Sequence, residues 1–242
     1  MIPAFITVRT KSTRLPDKCL LPFGDGNVLE HVIRRAKHFG LEPIVCTTND
    51  PADDRVERIA AREGAKCFRG SVVNKLKRWL DCCDAFRIKA FHTVDADDPF
   101  FDAELVQRSF ALLGEGYDAV YPTESSKNGA ASVGFSLTRD IVSRACALVG
   151  EGHDTEMIWH FIEKVNGMRK TALGDSADAL RMRLTLDYEE DYWLLVTVQR
   201  IVGGNAPRPE VDALFARNPD LHRINWFRNM EWKEGQRKKA NG

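Results

Sequence analysis

The most distinctive chemistry in this chain is a basic loop that directly follows the apolar run Ile2–Val8, which is predicted to be a buried strand. The loop, residues 9–18, carries the four cations Arg9, Lys11, Arg14 and Lys18. Guanidinium groups match phosphate oxygens in pairs, and ammonium groups add point charges. Ligands of open α/β sheets bind at the carboxyl ends of strands. A solvated run of charges is the alternative, but this position, with Pro16 stiffening the loop, favours a polyphosphate site.

A cluster of carboxylates follows a second predicted strand. Asp95, Asp97 and Asp98 come directly after Ala90–Val94. Like charges at this spacing repel one another unless a cation lies between them, and Mg²⁺ bridged to a substrate phosphate is a natural partner. We expect Asp97 to be a ligand and leave Asp95 and Asp98 open. The alternative is an acidic turn that caps the helix after Pro99.

Asp187 is the second candidate metal ligand. It follows the predicted strand Arg181–Leu186, as Asp97 follows its own strand, and two such aspartates can share one ion. Taken alone, Asp187 fits a helix N-cap as well as it fits a ligand. Asp191 is predicted to be a charge in the first turn of the next helix.

Weaker signals surround these residues. Arg69, Ser71 and Arg78 lie near a strand end and a helix start and can reach an anion, although a surface ion pair explains Arg78 equally well. His92 lies within a predicted strand and is interpreted as a satisfied core residue. The chain contains no complete dinucleotide fingerprint, no P-loop motif and no GxSxG nucleophile motif.

The elements that must position these residues alternate along the first half. Predicted strands are Ile2–Val8, Pro43–Cys46, Ala65–Phe68, Ala90–Val94 and Ala119–Tyr121. Predicted helices are Asn27–His38, Asp53–Arg62, Val73–Phe86 and Ala103–Leu113. This order favours an α/β fold with a mostly parallel sheet covered on both faces.

The second half is less regular. Strands are predicted at Ser132–Ser136 and Arg181–Leu186, and helices at Arg139–Leu148, Asp154–Val165, Glu189–Ile201 and Pro207–Ala216. Asp154 is predicted to cap its helix, and the polar tail Glu234–Gly242 is predicted to fray. No linker or repeat interrupts the pattern, so we expect one domain spanning residues 1–242.

The composition limits the classes of partner that the chain is expected to bind. The chain has 242 residues, with 35 basic and 35 acidic side chains, so no overall field favours nucleic acid or a membrane surface. We therefore expect neither as a partner. No apolar run approaches the roughly 18 residues of a membrane span, and the first residues lack a basic leader. The scattered cysteines are predicted to be reduced core residues of a cytoplasmic protein: Cys19, Cys46, Cys67, Cys82, Cys83 and Cys146.

Several of these segments together match one known pattern. They are Val8 to Ser12, Arg14-Leu15-Pro16 with Lys18 and Leu20, Leu29–Arg35, Thr47–Asp54, Arg69-Gly70-Ser71 with Arg78, Ala96–Pro99, Leu186–Asp191 and Asn218–Asn225. The chain resembles the cytidylyltransferase family of CMP-sugar synthetases. That family includes the acylneuraminate and ulosonate enzymes and the spore-coat polysaccharide biosynthesis proteins. The resemblance covers nearly the whole chain, and its N-terminal motif is the most specific part.

The resemblance implies a Rossmann-like, GT-A-like nucleotidyltransferase fold, a three-layer sandwich, which acts as a homodimer. It implies Mg²⁺-dependent transfer of CMP from CTP to an acceptor, with release of pyrophosphate. Arg9, Arg14, Lys18 and Asp97 would be catalytic, and Asp97 and Asp187 would hold the metal. The implied nucleotide-binding set is Val8, Arg9, Thr10, Lys11, Ser12, Arg14, Lys18, Thr47, Arg69, Ser71, Arg78 and Ala96.

Two stretches depart from the family pattern. Residues 128–134 lack the acids common in its sugar-binding region, and residues 153–159 replace a more basic sequence. An acceptor and dimerisation extension is expected within residues 122–182. The expected acceptor is therefore an anion, either an ulosonic-type sugar acid or a small phosphorylated or phosphonate metabolite. The alternatives are a nucleotide-sugar glycosyltransferase that uses Asp95-Ala96-Asp97 as a DxD motif, and a non-catalytic nucleotide-binding homologue.

Overall fold

A computed structural model describes residues 1–150, 152–175 and 180–240 of the chain. The strands are β1 Ile2–Thr7, β2 Pro22–Phe23, β3 Gly26–Asn27, β4 Leu41–Thr48, β5 Lys66–Gly70, β6 Ala90–Asp95, β7 Ala119–Tyr121, β8 Ser136–Thr138 and β9 Lys170–Ala172. The helices are α1 Val28–His38, α2 Asp54–Arg62, α3 Lys75–Phe86, α4 Ala103–Gly114, α5 Arg139–Ala147, α6 Trp159–Ile162, α7 Glu189–Val202, α8 Arg208–Arg217 and α9 Arg228–Ala240.

The main sheet has the strand order β5-β4-β1-β6-β8-β7-β9. The first four of these strands are parallel neighbours, and β8 runs antiparallel to both β6 and β7. Thr7 at the end of β1 lies opposite Asp95 at the end of β6. This register brings the loop after β1 level with the acidic residues after β6.

Helices cover both faces of the sheet because its strands carry apolar side chains on both sides. Along β1, Ala4 and Ile6 contribute to a core shared with α1, α2 and α4. Phe5 points the other way, since successive side chains of a strand alternate, and it joins a core formed with α3 and α5. The predicted α/β three-layer sandwich with a mostly parallel sheet is confirmed.

A third apolar cluster anchors the C-terminal part of the chain. Leu184 and Leu186 are fully buried and pack with Phe100 and with residues of α7 and α8. Their segment is irregular: the Leu184 N–H donates to Gly129 O and the Leu186 N–H to Asp97 O, both at 2.8 Å. The buried leucines thereby fix the position of the residue that follows them, Asp187.

Three predicted elements of the second half are wrong. Arg181–Leu186 is not a strand, because its two main-chain bonds go to different segments and form no ladder. The predicted strand Ser132–Ser136 begins only at Ser136, because the Ser126 hydroxyl accepts from the N–H groups of Ser132 and Val133.

The third is the predicted helix Asp154–Val165, of which only Trp159–Ile162 is observed as a helix. The Asp154 carboxylate caps only a local turn, accepting from Glu156 N at 2.8 Å. Thr155 is tied instead to the start of α3. Its N–H donates to Val73 O, and its hydroxyl accepts from Leu76 N and donates to Asn74 Oδ1.

The tail predicted to fray is helical as far as Ala240, and residues 241–242 lie outside the described residues, as do residues 151 and 176–179 of the expected extension. All six cysteines are free thiols, four of them buried. His92 is the predicted satisfied core residue: its two ring nitrogens meet Ser136 Oγ and Gly134 N, and burial lowers its pKa to about 3. No helix of the described chain is both long and apolar enough to cross a membrane.

Candidate functional site

The candidate site lies where the ends of β1 and β6 meet. The Ala96 N–H donates to Thr7 O at 3.1 Å, which extends the pairing of the two strands by one residue. The chain after Thr7 then runs past the acidic residues, and Lys18 begins a short 3-10 turn, Lys18–Leu20. The sheet register thus places the end of the basic loop against the carboxylates.

Lys18 joins the two predicted metal ligands. Its ammonium group forms a close ion pair with Asp97, lies 3.1 Å from Asp187 Oδ1 and donates to Leu186 O at 2.7 Å. Burial would lower the pKa of Lys18, but the charges of Asp97 and Asp187 outweigh it and raise the pKa. Lys18 is therefore charged and binds oxygens of two distant segments at once.

Asp187 lies inside a cage of cations. Its Oδ1 accepts from Arg14 Nη2 at 2.5 Å as well as from Lys18, and its Oδ2 lies 3.1 Å from Arg183 Nη2. Burial would raise the pKa of this carboxyl, but Lys18, Arg14 and Arg183 lower it to about 2. The guanidinium of Arg14 also lies over the Tyr188 ring, 5.5 Å from its centre.

The acidic cluster after β6 has fewer cations. Carboxylate oxygens of Asp95, Asp97 and Asp98 lie within 4.8 Å of one another. Burial and the charges of its two neighbours raise the pKa of Asp98 well above its usual value. Burial also raises the pKa of Asp95, with Asp97 adding to the effect and Lys75, 3.5 Å away, opposing it.

Other predicted residues stabilise the loop rather than join this centre. The backbone N–H and hydroxyl of Thr10 both donate to Asp53 Oδ1 at 2.8 Å. Burial would raise the pKa of Asp53, but hydrogen bonds from Thr48 and Thr10 outweigh it and leave the pKa lowered. Lys11 pairs with Asp50, at the start of the same acidic turn.

Arg69 and Arg78 hold backbone oxygens of their own region. Arg69 donates to Thr48 O and Asp50 O and pairs with Asp54 and Glu57. Buried Arg78 donates to Ser71 O at 2.7 Å, so it is not a surface ion pair.

The remaining predicted residues line the strand ends. Val8, Thr47 and Ala96 are buried there, and the Ser12 N–H donates to Thr10 O at 2.9 Å. Arg9 is half-exposed and lies 3.4 Å from Glu156. The structure therefore brings Arg14, Lys18, Asp97 and Asp187 into direct contact and arranges the other predicted residues around them.

Sequence reasoning missed three supporting residues: Lys75, Asp53 and Arg183. Arg183 is fully buried and binds Asp191 through two contacts, 2.9 and 3.1 Å. Asp191 accepts from the N–H groups of Asp187 and Tyr188, as a first-turn residue does, but it also anchors Arg183. Arg183 precedes Asp187 by four residues outside any helix, so no periodicity could have marked it.

The oxygens around Lys18 suit a hard divalent cation. Mg²⁺ in proteins is bound through one or two carboxylates together with waters and substrate phosphates, and carbonyl oxygens suit it as well. Asp97, Asp187 and Leu186 O already converge on one positive group, the ammonium of Lys18. The residues present therefore fit a metal at this position, with Asp95 and Asp98 within reach of the same region.

Comparison with known proteins assigns the chain to a protein family. A cytidylyltransferase family model matches residues 4–135, just over half of the sequence, including the basic loop and the acidic cluster. The chain belongs to the cytidylyltransferase family. The expected family, and with it the expectation of a nucleotidyltransferase enzyme, is confirmed.

Relatives of this cytidylyltransferase span nearly its whole length. The Bacillus subtilis spore coat polysaccharide biosynthesis protein SpsF is 26% identical over 231 residues, 89% of this chain and 94% of that protein. A Leptospira borgpetersenii cytidylyltransferase structure superposes with a TM-score of 0.82 at 23% identity, covering 91% of this chain and 96% of that one.

Two more distant structures share the fold. A CMP:2-keto-3-deoxy-manno-octonic acid synthetase complexed with CTP has a TM-score of 0.62 at 14% identity, covering 83% and 99% of the two chains. A Mycobacterium tuberculosis protein in complex with manganese has a TM-score of 0.54 at 18% identity, covering 81% and 98%. At these identities the likeness establishes the nucleotidyltransferase-like fold alone.

Proposed function

We propose that this protein is a Mg²⁺-dependent cytidylyltransferase that transfers CMP from CTP to an anionic small-molecule acceptor and releases pyrophosphate. One observation carries the proposal: Lys18 links Asp97 and Asp187 at the sheet edge where the basic loop also ends. Such a centre offers positive charge for phosphates and carboxylates for a metal within one contact network. The CTP complex of a protein with the same fold is consistent with this choice of nucleotide.

The cations of the loop have the role of binding the triphosphate. Arg14 and Arg9 are partly exposed, so both guanidinium groups can reach a ligand without unfolding the loop. An oxygen of the acceptor attacks the α-phosphorus of CTP, the new oxygen–phosphorus bond forms, and the bond to the bridging oxygen breaks as pyrophosphate leaves. Positioning and charge stabilisation supply most of the acceleration in transfers of this kind.

Asp97 and Asp187 are the proposed metal-binding residues. Mg²⁺ bound there would neutralise charge on the phosphate oxygens during transfer. Asp187 is suited to this role because Arg183 holds its Oδ2 and leaves Oδ1 directed to the side where Asp97 lies. A manganese complex of a protein with the same fold is consistent with the use of a divalent cation.

The nucleoside would lie along the ends of β1, β4 and β6. In this proposal main-chain atoms of Val8 to Ser12 and of Ala96 would read cytosine, and Thr47, Ser71 and Arg78 would complete the nucleotide-binding set. Lys11 and Arg69 contribute through the loop after β4, which both residues already hold.

The acceptor would bind an extension of the single domain, within residues 122–182. The same extension would form the interface of a homodimer. The enzyme would be cytoplasmic. The absence of acidic side chains from residues 128–134 favours an anionic acceptor, such as an ulosonic-type sugar acid or a small phosphorylated or phosphonate metabolite. The relationship to a spore coat polysaccharide biosynthesis protein is consistent with a sugar acceptor.

The direct test is pyrophosphate release from each nucleoside triphosphate, crossed with a panel of acidic sugars and phosphorylated or phosphonate metabolites. With a working pair, Asp97→Ala and Arg14→Ala should each lower the rate by about 10²–10³-fold, as loss of one electrostatic contact in a transition state does. Asp84→Ala and Arg139→Ala are matched controls. These residues form an exposed ion pair, and Arg139 N donates to Lys89 O, at the opposite end of β6 from the site.

Rates for Asp97→Ala and Arg14→Ala that equal the wild-type rate would overturn the site assignment. Sugar transfer from a nucleotide sugar, without pyrophosphate from any triphosphate, would establish the glycosyltransferase alternative. CTP binding by calorimetry without turnover on the whole panel would establish a non-catalytic homologue.

A further inference from the structure

We infer that Lys18 occupies the metal position in the ligand-free protein, so that a divalent cation binds there strongly only after Lys18 has moved to the nucleotide. The inference rests on the proposed function, because it takes Asp97 and Asp187 as the metal-binding pair. It adds a property of the chain itself: the free protein resists loading by metal alone.

The contacts of Lys18 resemble those of a bound cation. An ammonium group has three hydrogens to donate, and Lys18 directs them at three oxygens: Asp97 Oδ2, Asp187 Oδ1 and Leu186 O. The side chain is only 16% exposed. Its donors are therefore used by the same oxygens that a metal would need.

Because both are positively charged, Lys18 and a divalent cation cannot occupy this position at the same time. A divalent cation held by Asp97 and Asp187 while Lys18 remained would bring positive centres to within a few ångströms of each other in a partly buried site. Repulsion at that distance is strong where the effective dielectric constant is low. Lys18 must therefore leave its three oxygens before a metal can use them.

Asp187 can release Lys18 without losing its compensation. Arg183 still holds the other oxygen at 3.1 Å. Arg14, which shares the first oxygen at 2.5 Å, is partly exposed and can turn with Lys18 to the phosphates of the nucleotide. Phosphate oxygens of a bound nucleotide would offer Lys18 new partners next to the loop from which it extends. Nucleotide and metal thus strengthen each other's binding, because coupling between two sites is reciprocal.

Lys75 does not share this property. It is also a buried lysine near the acidic cluster, but the ion pair it forms there is with Asp95, at 3.5 Å, and its ammonium lies over the Trp79 ring. A metal between Asp97 and Asp187 therefore competes with Lys18 for its ligands and leaves the contact of Lys75 intact.

Mn²⁺ binding to the ligand-free protein tests the inference, measured by electron paramagnetic resonance of free Mn²⁺ or by calorimetry. Lys18→Met should bind Mn²⁺ at least about tenfold more tightly than wild type, while its affinity for CTP falls. Lys66→Met is the matched control: Lys66 forms an exposed pair with Glu42, and this variant removes the same charge without changing Mn²⁺ affinity. Adding Asp97→Asn to Lys18→Met should abolish the gain.

A Lys18→Met protein that folds and binds Mn²⁺ no more tightly than wild type overturns the inference, and so does an equal gain in Lys66→Met. Lys18→Gln serves as the second variant should Lys18→Met fail to fold. Failure of the proposed function is a separate result: wild type would then release no pyrophosphate from CTP with any acceptor, whatever the metal titration shows. Absence of Mn²⁺ binding in every protein overturns both the inference and the metal assignment.

Discussion

The carboxylates on the two sides of Lys18 lie in opposite electrostatic surroundings. Asp187 is enclosed by Lys18, Arg14 and Arg183, and its pKa falls to about 2. In the part of the chain that the structure describes, the cluster after β6 pairs with Lys75 besides Lys18, and burial together with mutual repulsion raises the pKa values of Asp95 and Asp98.

The negative charge of Asp187 is balanced by neighbouring cations, whereas the charges of Asp95, Asp97 and Asp98 are only partly balanced. On the Asp187 side each carboxylate oxygen has a cationic partner, so its charge is compensated in the ligand-free protein. On the Asp95–Asp98 side three carboxylates crowd together, and an added cation gains most there. Activity should therefore depend most on the acidic cluster, and stability should depend most on Asp187.

The largest effect is expected from Asp97→Asn. Under the proposed function it removes a metal-binding charge, and pyrophosphate release should fall by about 10²–10³-fold. The stability of the ligand-free protein should change little, because the substitution also relieves repulsion from Asp95 and Asp98. Denaturant unfolding alongside the rate assay checks both parts. A large loss of stability would show that Asp97 is structural.

Asp187→Asn should lower the free energy of unfolding more than Asp97→Asn does. The lowered pKa corresponds to about 2–3 kcal/mol of stability at neutral pH. Because the folded-state pKa lies below the unfolded value, this contribution is complete above about pH 4 and is lost as pH falls towards 2.

Urea unfolding with EDTA between pH 7 and 3 measures this difference. The gap between wild type and Asp187→Asn should narrow below about pH 4. Asp84→Asn, at an exposed ion pair, is the control and should show a much smaller gap. A gap independent of pH would mean that the cations around Asp187 do not act through its charge.

Lys75→Met tests the comparison between Asp187 and the acidic cluster by a change next to the cluster. It removes the cation beside Asp95 and its contact with the Trp79 ring, so the ligand-free protein should lose about 1–2 kcal/mol of stability. With CTP present, Mg²⁺ should then raise the melting temperature of Lys75→Met more than that of wild type, because the lost charge no longer opposes the metal and ligand binding stabilises by mass action. Lys66→Met controls for the lost charge, and equal rises in Lys75→Met and wild type would contradict the prediction.

Arg9→Ala should have the smallest effect on stability, less than about 1 kcal/mol, because its ion pair with Glu156 is half-exposed. The proposed phosphate contact predicts a separate loss of several-fold in CTP affinity. Thermal unfolding and calorimetric titration with CTP measure the two effects. Unchanged CTP affinity would remove Arg9 from the nucleotide site.

Sequence patterns predicted the first half of the fold well because local periodicity and tertiary structure agree there. The predicted helix Asn27–His38 is observed as α1, and Asn27 caps it by accepting from Glu30 N. Strands such as β1 are short apolar runs that end at polar loops, so their ends, where Lys18 and Asp97 meet, could also be inferred.

The rest depended on contacts between distant segments. Asp187 was identified as the end of a strand, yet the segment before it is irregular and is held by single bonds to Gly129 and Asp97. Thr155 is drawn to the start of α3 by bonds to Val73, Leu76 and Asn74, which overrides the helical pattern around it. No pattern within one segment records such partners, and Lys75 and Arg183 were missed for the same reason.

The buried frame behind Asp187 has a consequence for the order in which this protein matures. Asn225 donates to Asp191, and Asn229 accepts from Arg183, so residues just before α9 and in its first turn complete the frame. A chain emerging from the ribosome can form its basic loop early, but the frame of Arg183 and Asp191 behind Asp187 is complete only after residues as far as Asn229 have folded. Under the proposed function, newly made protein would thus gain activity late, after the sheet has assembled.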